Sequence, residues 1–291
     1  MAGEADTADR AMRTETFSGE LGEGRMVFAA PAPALRRHVV RYLGYAERTR
    51  FTRRREAPGA TVPLIINFGS PLVLRPSGGA PQRFGLGLVA GLADRVGIVD
   101  SGGEQTGLQI DLTPLAARLF LDMPMGGLTN QAVPLEDVLG RGAAPVVDRL
   151  RALPGWPERF ALLDEVIGAR IAAARAVPPA VAEAWRRLHR AGGAVPIAAL
   201  AADLGCNRSH LSGAFRHHLG LPPKTFARVL RFRAVVTDLA RARTRPLLAD
   251  LAARHGYADQ AHLNRDFLEF AGITPTDHLR RSASGHGVVD G

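Results

Sequence analysis

The stretch Ile197-Ala-Ala-Leu-Ala-Ala-Asp-Leu-Gly205 returns as Leu248-Ala-Asp-Leu-Ala-Ala-Arg-His-Gly256, 51 residues further along the chain. After each glycine the offset becomes 52, so Asn207 matches Asp259, Leu211 matches Leu263, Phe215 matches Phe267, Gly220 matches Gly272 and Pro223 matches Pro275. Self-similarity at a fixed period marks a duplicated supersecondary unit. Ile197, Leu200, Ala201 and Leu204 fall at i, i+3, i+4 and i+7, the buried face of one helix. Ala201 and Ala252 are small enough for a second helix to cross closely. Gly205 and Gly256 stand where that helix stops and the chain turns sharply, a position suited to positive φ. Asn207 and Asp259 are natural N-caps for a second helix that buries Leu211 with Phe215, or Leu263 with Phe267. Helix, glycine turn and capped second helix make a helix-turn-helix, and the pattern occurs twice.

Between the copies, Lys224–Arg241 carries Phe226, Val229, Phe232, Val236 and Leu239 as one apolar stripe. A helix of 18 residues there would be about 27 Å long, a spacer suited to holding the two second helices roughly one DNA turn (~34 Å) apart. A helical repeat array would use the same periodicity only for packing, but two copies fall short of the roughly three that a solenoid needs. Charge follows the same division. The chain is +9 overall, with 37 basic and 28 acidic residues, and Lys224 is its only lysine. Residues 176–282 hold 16 basic and 8 acidic residues, a net of +8, whereas residues 1–175 hold 21 and 19. A localised excess of this size points to a polyanionic partner. The arginine bias by itself says little about phosphate recognition.

Residues 180–281 resemble the DNA-binding domain of the AraC/XylS family of bacterial transcription regulators. The stretch Gly256-Tyr-Ala-Asp-Gln260-Ala-His-Leu-Asn264-Arg265-Asp-Phe267, followed by Gly272-Ile-Thr-Pro275-Thr-Asp-His-Leu-Arg280, is similar to that family's signature. The resemblance covers about a third of the chain. It implies two major-groove recognition helices, about Arg208–Leu219 and Gln260–Ala271, joined by the linker helix.

Burying Leu211/Phe215 and Leu263/Phe267 leaves the opposite helix faces outward. The first presents Arg208, Ser209, Ser212, Gly213 and Arg216, and the second presents Gln260, Ala261, Asn264, Arg265 and Leu268. The family places base contacts near the start of each helix, which makes Arg208, Ser209, Ser212, Gln260, Ala261, Asn264 and Arg265 the base-contact candidates. Gln260 and Asn264 have the chemistry to pair bidentately with adenine, and Arg265 with guanine. Arg216, Lys224 and Arg228 are the phosphate-contact candidates, which position without specifying. Gly213 departs from the family pattern. It stands at the repeat position of Arg265 with no side chain to reach a base, so readout by the first motif is expected to be the weaker.

The rest of the chain reads differently. At 291 residues, with 46% hydrophobic and 22% charged residues, it has the size and composition of two globular domains of roughly 100–200 residues. Residues 1–25 are polar and unpatterned and read as a disordered lead. From 26 to 175 the texture is α+β. Short strand-like runs (Val39–Tyr45, Val62–Phe68, Leu72–Leu74, Val96–Val99, Leu108–Leu112) alternate with turn signals such as Pro76-Ser77-Gly78-Gly79 and Ser101-Gly102-Gly103. Thr113-Pro114 then opens a helix through about Leu121, and Pro157–Arg175 forms a longer one. Val177-Pro178-Pro179 marks the boundary with an all-α domain over 176–282, and 283–291 reads as a flexible tail. In the AraC/XylS family an N-terminal domain commonly senses a small molecule or mediates dimerisation, often on a cupin-like barrel. That resemblance implies a sensor-like domain with an effector and a homodimer partner, and RNA polymerase as a further partner if the protein activates. Arg41, Tyr42, Tyr45 and Asn67 are the candidate effector-pocket residues.

Several chemistries are set aside. A single cysteine, Cys206, leaves no disulfide framework, no thiolate zinc site and no paired-thiol redox couple. It lies inside the helix-turn-helix, which also excludes a thiol methyl-acceptor repair enzyme. Gly85-Leu-Gly87-Leu-Val-Ala-Gly91 is followed by the strand-like Asp94–Val99 rather than the helix a dinucleotide loop requires. His210, His217 and His218 have no carboxylate or thiolate partners in spacing for a metal. The expectation is therefore a regulator without catalytic residues, metal or cofactor, binding double-stranded promoter DNA. No apolar run spans a membrane and Met1–Arg13 has no signal-peptide core, so the expected place is the cytoplasm, on the nucleoid. The rivals are a DNA-modifying or repair enzyme carrying a borrowed domain of this type, and a helical protein-interaction module. Sequence-specific competition on promoter DNA separates the interaction module from the regulator.

Overall fold

Runs of alternating inward and outward residues build the first part of the chain as antiparallel strands. The computed structural model describes residues 11–19, 22–75, 80–242, 246–281 and 288–290; the turn signal at 76–79 lies outside them. The strands are β1 (Met12–Gly19), β2 (Gly22–Ala29), β3 (Val39–Glu56), β4 (Val62–Asn67), β5 (Leu72–Arg75), β6 (Gln82–Phe84), β7 (Gly87–Ala90), β8 (Gly97–Leu112), β9 (Ala132–Pro134) and β10 (Val288–Asp290). Their order is β1-β2-β3-β8-β4-β7-β9, with β5 paired to β6 and β8, and β10 to β3. Among the described residues no pairing joins β1 to β9, the two ends of this path.

One face of the sheet is apolar. Tyr42, Val62, Leu64, Ile66, Leu108, Ile110 and Leu112 are buried there beneath α1 (Pro114–Leu121) and α4 (Trp156–Ala173). Thr113 caps α1 by accepting a hydrogen bond from the Ala116 amide, as Thr113-Pro114 predicts. The Tyr42 ring stacks on Phe160 with centroids 5.5 Å apart, and its hydroxyl donates to Asp164 at 2.8 Å. The short helices α2 (Leu135–Leu139) and α3 (Ala143–Ala152) complete this layer.

Three expectations are corrected. The lead does not stay unstructured to residue 25, because Met12–Gly19 and Gly22–Ala29 pair along their whole length as a hairpin and β2 pairs on to β3. Through residue 25 it is mostly polar, so no hydrophobic alternation announces it, and only its end, at Val27 and Ala29, enters the core; Arg13 lying 4.8 Å from the Phe28 ring centre is one contact that fixes it. Within the expected flexible tail, Val288–Asp290 pairs with Arg53–Arg55 of β3. Ser101-Gly102-Gly103 does not separate two strands. Instead β8 runs through it, paired with β3 across a register shift at Thr49/Thr52, where Gly103 at φ +84° absorbs a bulge that bends the ribbon.

The second part is helical: α5 (Pro179–Arg190), α6 (Ile197–Asp203), α7 (Arg208–Leu219), α8 (Pro223–Arg241), α9 (Leu248–Arg254), α10 (Gln260–Ala271) and α11 (Pro275–Arg281). Gly205 and Gly256 have φ of +68° and +71°, the left-handed conformation that the turn demands. The repeat is one helix larger than the sequence match. Arg187 of α5 pairs with Asp203 of α6 at 2.9 Å, and 51 residues on Asp238 of α8 pairs with Arg254 of α9 at 3.1 Å. The linker helix α8 is thus to α9 and α10 what α5 is to α6 and α7. Among the described residues no helix is long and apolar enough to cross a membrane.

Phe267 is fully buried and meets Phe232 edge-on at 4.9 Å. Phe267→Ala is expected to cost about 3–5 kcal/mol, read as a lowered urea midpoint at unchanged slope. Asn207→Ala, which removes a cap from α7, is expected to cost about 1 kcal/mol in the same measurement.

Candidate nucleic-acid interface

The outward faces of α7 and α10 are set by what each helix buries. On α7 the buried residues are Leu211, Phe215 and Leu219, and on α10 Leu263, Asp266, Phe267, Phe270 and Ala271. Phe215 packs on Phe226 of α8 at 5.8 Å, while Phe232 of α8 receives Phe267 and Phe270. Each helix starts with a side-chain cap. The Asn207 side chain accepts from the His210 amide at 2.8 Å, and Asp259 accepts from the His262 amide at 2.7 Å.

The opposite faces are open. Arg208, Ser209, Gly213 and Arg216 are exposed on α7, with Ser212 half-buried; Gln260, Ala261, Arg265 and Leu268 are exposed on α10. Lys224, at the start of α8, is exposed as well. Asn264 differs from its expected role. It is half-buried, and its Oδ1 is buried without a hydrogen-bond partner, so its amide cannot offer both groups to an adenine in this rotamer. The bare Gly213 leaves a shallow hollow on α7, lined by Asn207, Ser209, His210, Gly213, Ala214 and His217. A Cβ added at Gly213 would meet nothing within 4 Å. The neighbouring His218 is turned inward, and burial, followed by His217 and Arg118, lowers its pKa.

Arg228 does not point at phosphate. Its guanidinium pairs with Asp266 at 2.7 Å and with Glu269, and stacks on the Phe270 ring at 4.9 Å. Asp266 is almost fully buried, and a buried carboxylate needs a partner to remain charged. Arg228 therefore anchors α10 to α8. The spacing of 38 residues between them gives no local signal of the pairing.

The four effector-pocket candidates do not line one pocket. Tyr42 lies in the core under the helices. Asn67 is buried and ties a turn together by donating to the carbonyls of Gly69, Ser70 and Gly85. Arg41 and Tyr45 lie on the other face of β3, because residues an odd number apart on a strand point opposite ways. There Arg41 pairs with Asp111, and the Tyr45 ring covers Gly107. Burial, followed by Glu47, raises the Tyr45 pKa. Among the described residues, no three His, Cys, Asp or Glu side chains gather in a way that would hold a metal ion.

Residues 200–281 match a family model described as a helix-turn-helix domain, a span that contains α7, α8, α9, α10 and α11. No curated protein matches the chain by sequence. Among solved structures, it is similar to ToxT from Vibrio cholerae at 10% identity and a TM-score of 0.43, over 79% of this chain and 96% of that one. The C-terminal domain of AraT, a response regulator from Geobacillus stearothermophilus, is similar at 19% identity and a TM-score of 0.33, over 36% of this chain and 86% of that one. The AraC-like transcriptional activator CuxR is similar at 12% identity and a TM-score of 0.34, over 78% of this chain and 87% of that one. With two capped second helices, two positive-φ glycine turns and a linker helix that both units pack against, the C-terminal third of the chain is a double helix-turn-helix domain.

Proposed function

We propose that the chain is a transcription regulator that binds promoter DNA by laying α7 and α10 in the major groove, with its sheet domain modulating that binding through a small-molecule effector or through self-association. The observation that carries this reading is that both second helices bury their apolar pair inward and turn a polar or basic stripe outward, in the part of the chain that holds the charge excess. On this reading α10 specifies and α7 mainly positions. Arg265 reads guanine and Gln260 adenine, each good bidentate contact being worth about 1–3 kcal/mol of discrimination, and Ala261 meets an apolar edge. Asn264 contributes through its rotamer or not at all. Arg208, Ser209 and Ser212 supply what base contact α7 makes, while Arg216 and Lys224 hold phosphates.

Selection of duplexes from a random pool by the purified full chain, followed by affinity and salt titration, tests this. Arg265→Ala is expected to relax preference at one base position; an unchanged preference removes Arg265 from the readout. Arg216→Ala is expected to weaken all sequences alike and to lower the salt slope by about 1. Arg228→Met is expected to leave the salt slope unchanged and to destabilise the fold by about 3–5 kcal/mol, because Asp266 is left buried and unpaired. Gly213→Ala is expected to raise the urea midpoint by up to about 1 kcal/mol of stability, since the added Cβ meets nothing.

A further inference from the structure

The glycines that end the two recognition helices, Gly220 and Gly272, are equivalent in the repeat, and both are held by the sheet domain. At Gly220 the Thr129 hydroxyl donates to the glycine carbonyl, and a Cβ placed on Gly220 would have Met125, Thr129 and Leu92 as its nearest neighbours. The turn Met125–Leu128 packs along the last turn of α7, with Gly126 against the Arg216 backbone. At Gly272 the Arg55 guanidinium, from the far end of β3, donates to the glycine carbonyl at 3.1 Å, and the nearest neighbours of an added Cβ would be Arg55 and Val96. The Arg55 charge sits at the negative end of the α10 dipole. Two segments 74 residues apart in the sheet domain thus reach the same point of each copy.

This matters because α7 and α10 are otherwise linked through α8. Among the described residues, no hydrogen bond joins them directly. A helix 19 residues long, about 28 Å, fixes distance well, but a small rotation at either of its ends swings a recognition helix across the groove. Two contacts at the C-termini, away from the capped N-termini that approach the bases, brace the pair without covering the reading faces.

We propose that Thr129 and Arg55 are positioning residues for DNA reading: the sheet domain grips both recognition helices at their equivalent terminal glycines and fixes their mutual register on the duplex. The inference rests on the DNA-binding reading above. It deepens that reading by assigning the sheet domain a direct mechanical part in selecting the spacing between half-sites.

The test uses the full chain. A bipartite site is first selected from random duplexes with the wild-type protein, and one base pair is then inserted between its halves, which rotates one half by about 35° relative to the other. The wild type is expected to lose about tenfold or more in affinity on insertion. The Thr129→Val, Arg55→Met double variant is expected to lose less than about threefold, with an unchanged salt slope. The conservative Thr129→Ser, Arg55→Lys variant, which keeps both donors, is expected to restore most of the insertion penalty. Either single variant, Thr129→Val or Arg55→Met, gives the same comparison if the double variant does not fold. An insertion penalty that stays at the wild-type value in the variants overturns the proposal, as does tighter binding of the unmodified site by the double variant, which would make the grip inhibitory. A wild type that enriches no duplex overturns the DNA-binding reading itself, a result distinct from enrichment with unaltered spacing.

Discussion

Phe215 against Phe226, and Phe267 against Phe232, are the contacts on which the DNA-facing geometry depends. Each places the second helix of one unit on α8, and by burying one side of that helix it decides which side chains face outward. Aromatic pairs bring more than buried area, because ring edge and face have opposite partial charge and favour particular relative orientations. Arg228, Asp266 and Glu269 then stop α10 from sliding along α8. The first unit has no such pairing at the matching places, where Ala214 and His217 stand. In its stead, the end of α7 rests on the turn Met125–Leu128 of the sheet domain. Both recognition helices are thus seated on α8, and α7 leans in addition on the sheet domain.

Most of the helical domain was legible because its signals are local. A cap, a glycine and an apolar pair four residues apart each act within a turn or two of helix, and the repeat states each of them twice. The bounds of α7 and α10 coincide with those expected, and Asn207 and Asp259 cap as their chemistry requires. What escaped the sequence was non-local or lacked contrast. Arg228 is a long cation on a basic helix and reads as a phosphate ligand until its carboxylate partners are seen in space. The hairpin Met12–Ala29 is mostly polar through residue 25 and depends on the neighbouring strand β3. The misplaced pocket had a readable warning: Arg41 and Tyr42 are adjacent on one strand, so they cannot face the same ligand.

The sheet domain bears on the reading domain through contact rather than through a cleft. Most of its buried apolar residues form one continuous core with those of the helices, Leu72, Phe84 and Leu88 making a small cluster of their own, and β3 reaches from beneath α4 to the end of α10. Gly213 and Arg265 stand at equivalent positions of the two copies, so the exposed face of α7 shows bare backbone where that of α10 carries a long cation.

The ion pair that each unit carries between its first and second helices has reversed polarity in the two copies, Arg187 with Asp203 and Asp238 with Arg254. A chain containing two versions of one three-helix fold can misassemble by exchanging equivalent helices between them, a characteristic failure of repeat proteins. Here an exchange would set Arg187 against Arg254 and Asp238 against Asp203. These exposed pairs add little to stability as they stand, yet their reversal makes each hybrid repulsive. The pairing of helices within each copy is thus the one that the charges favour.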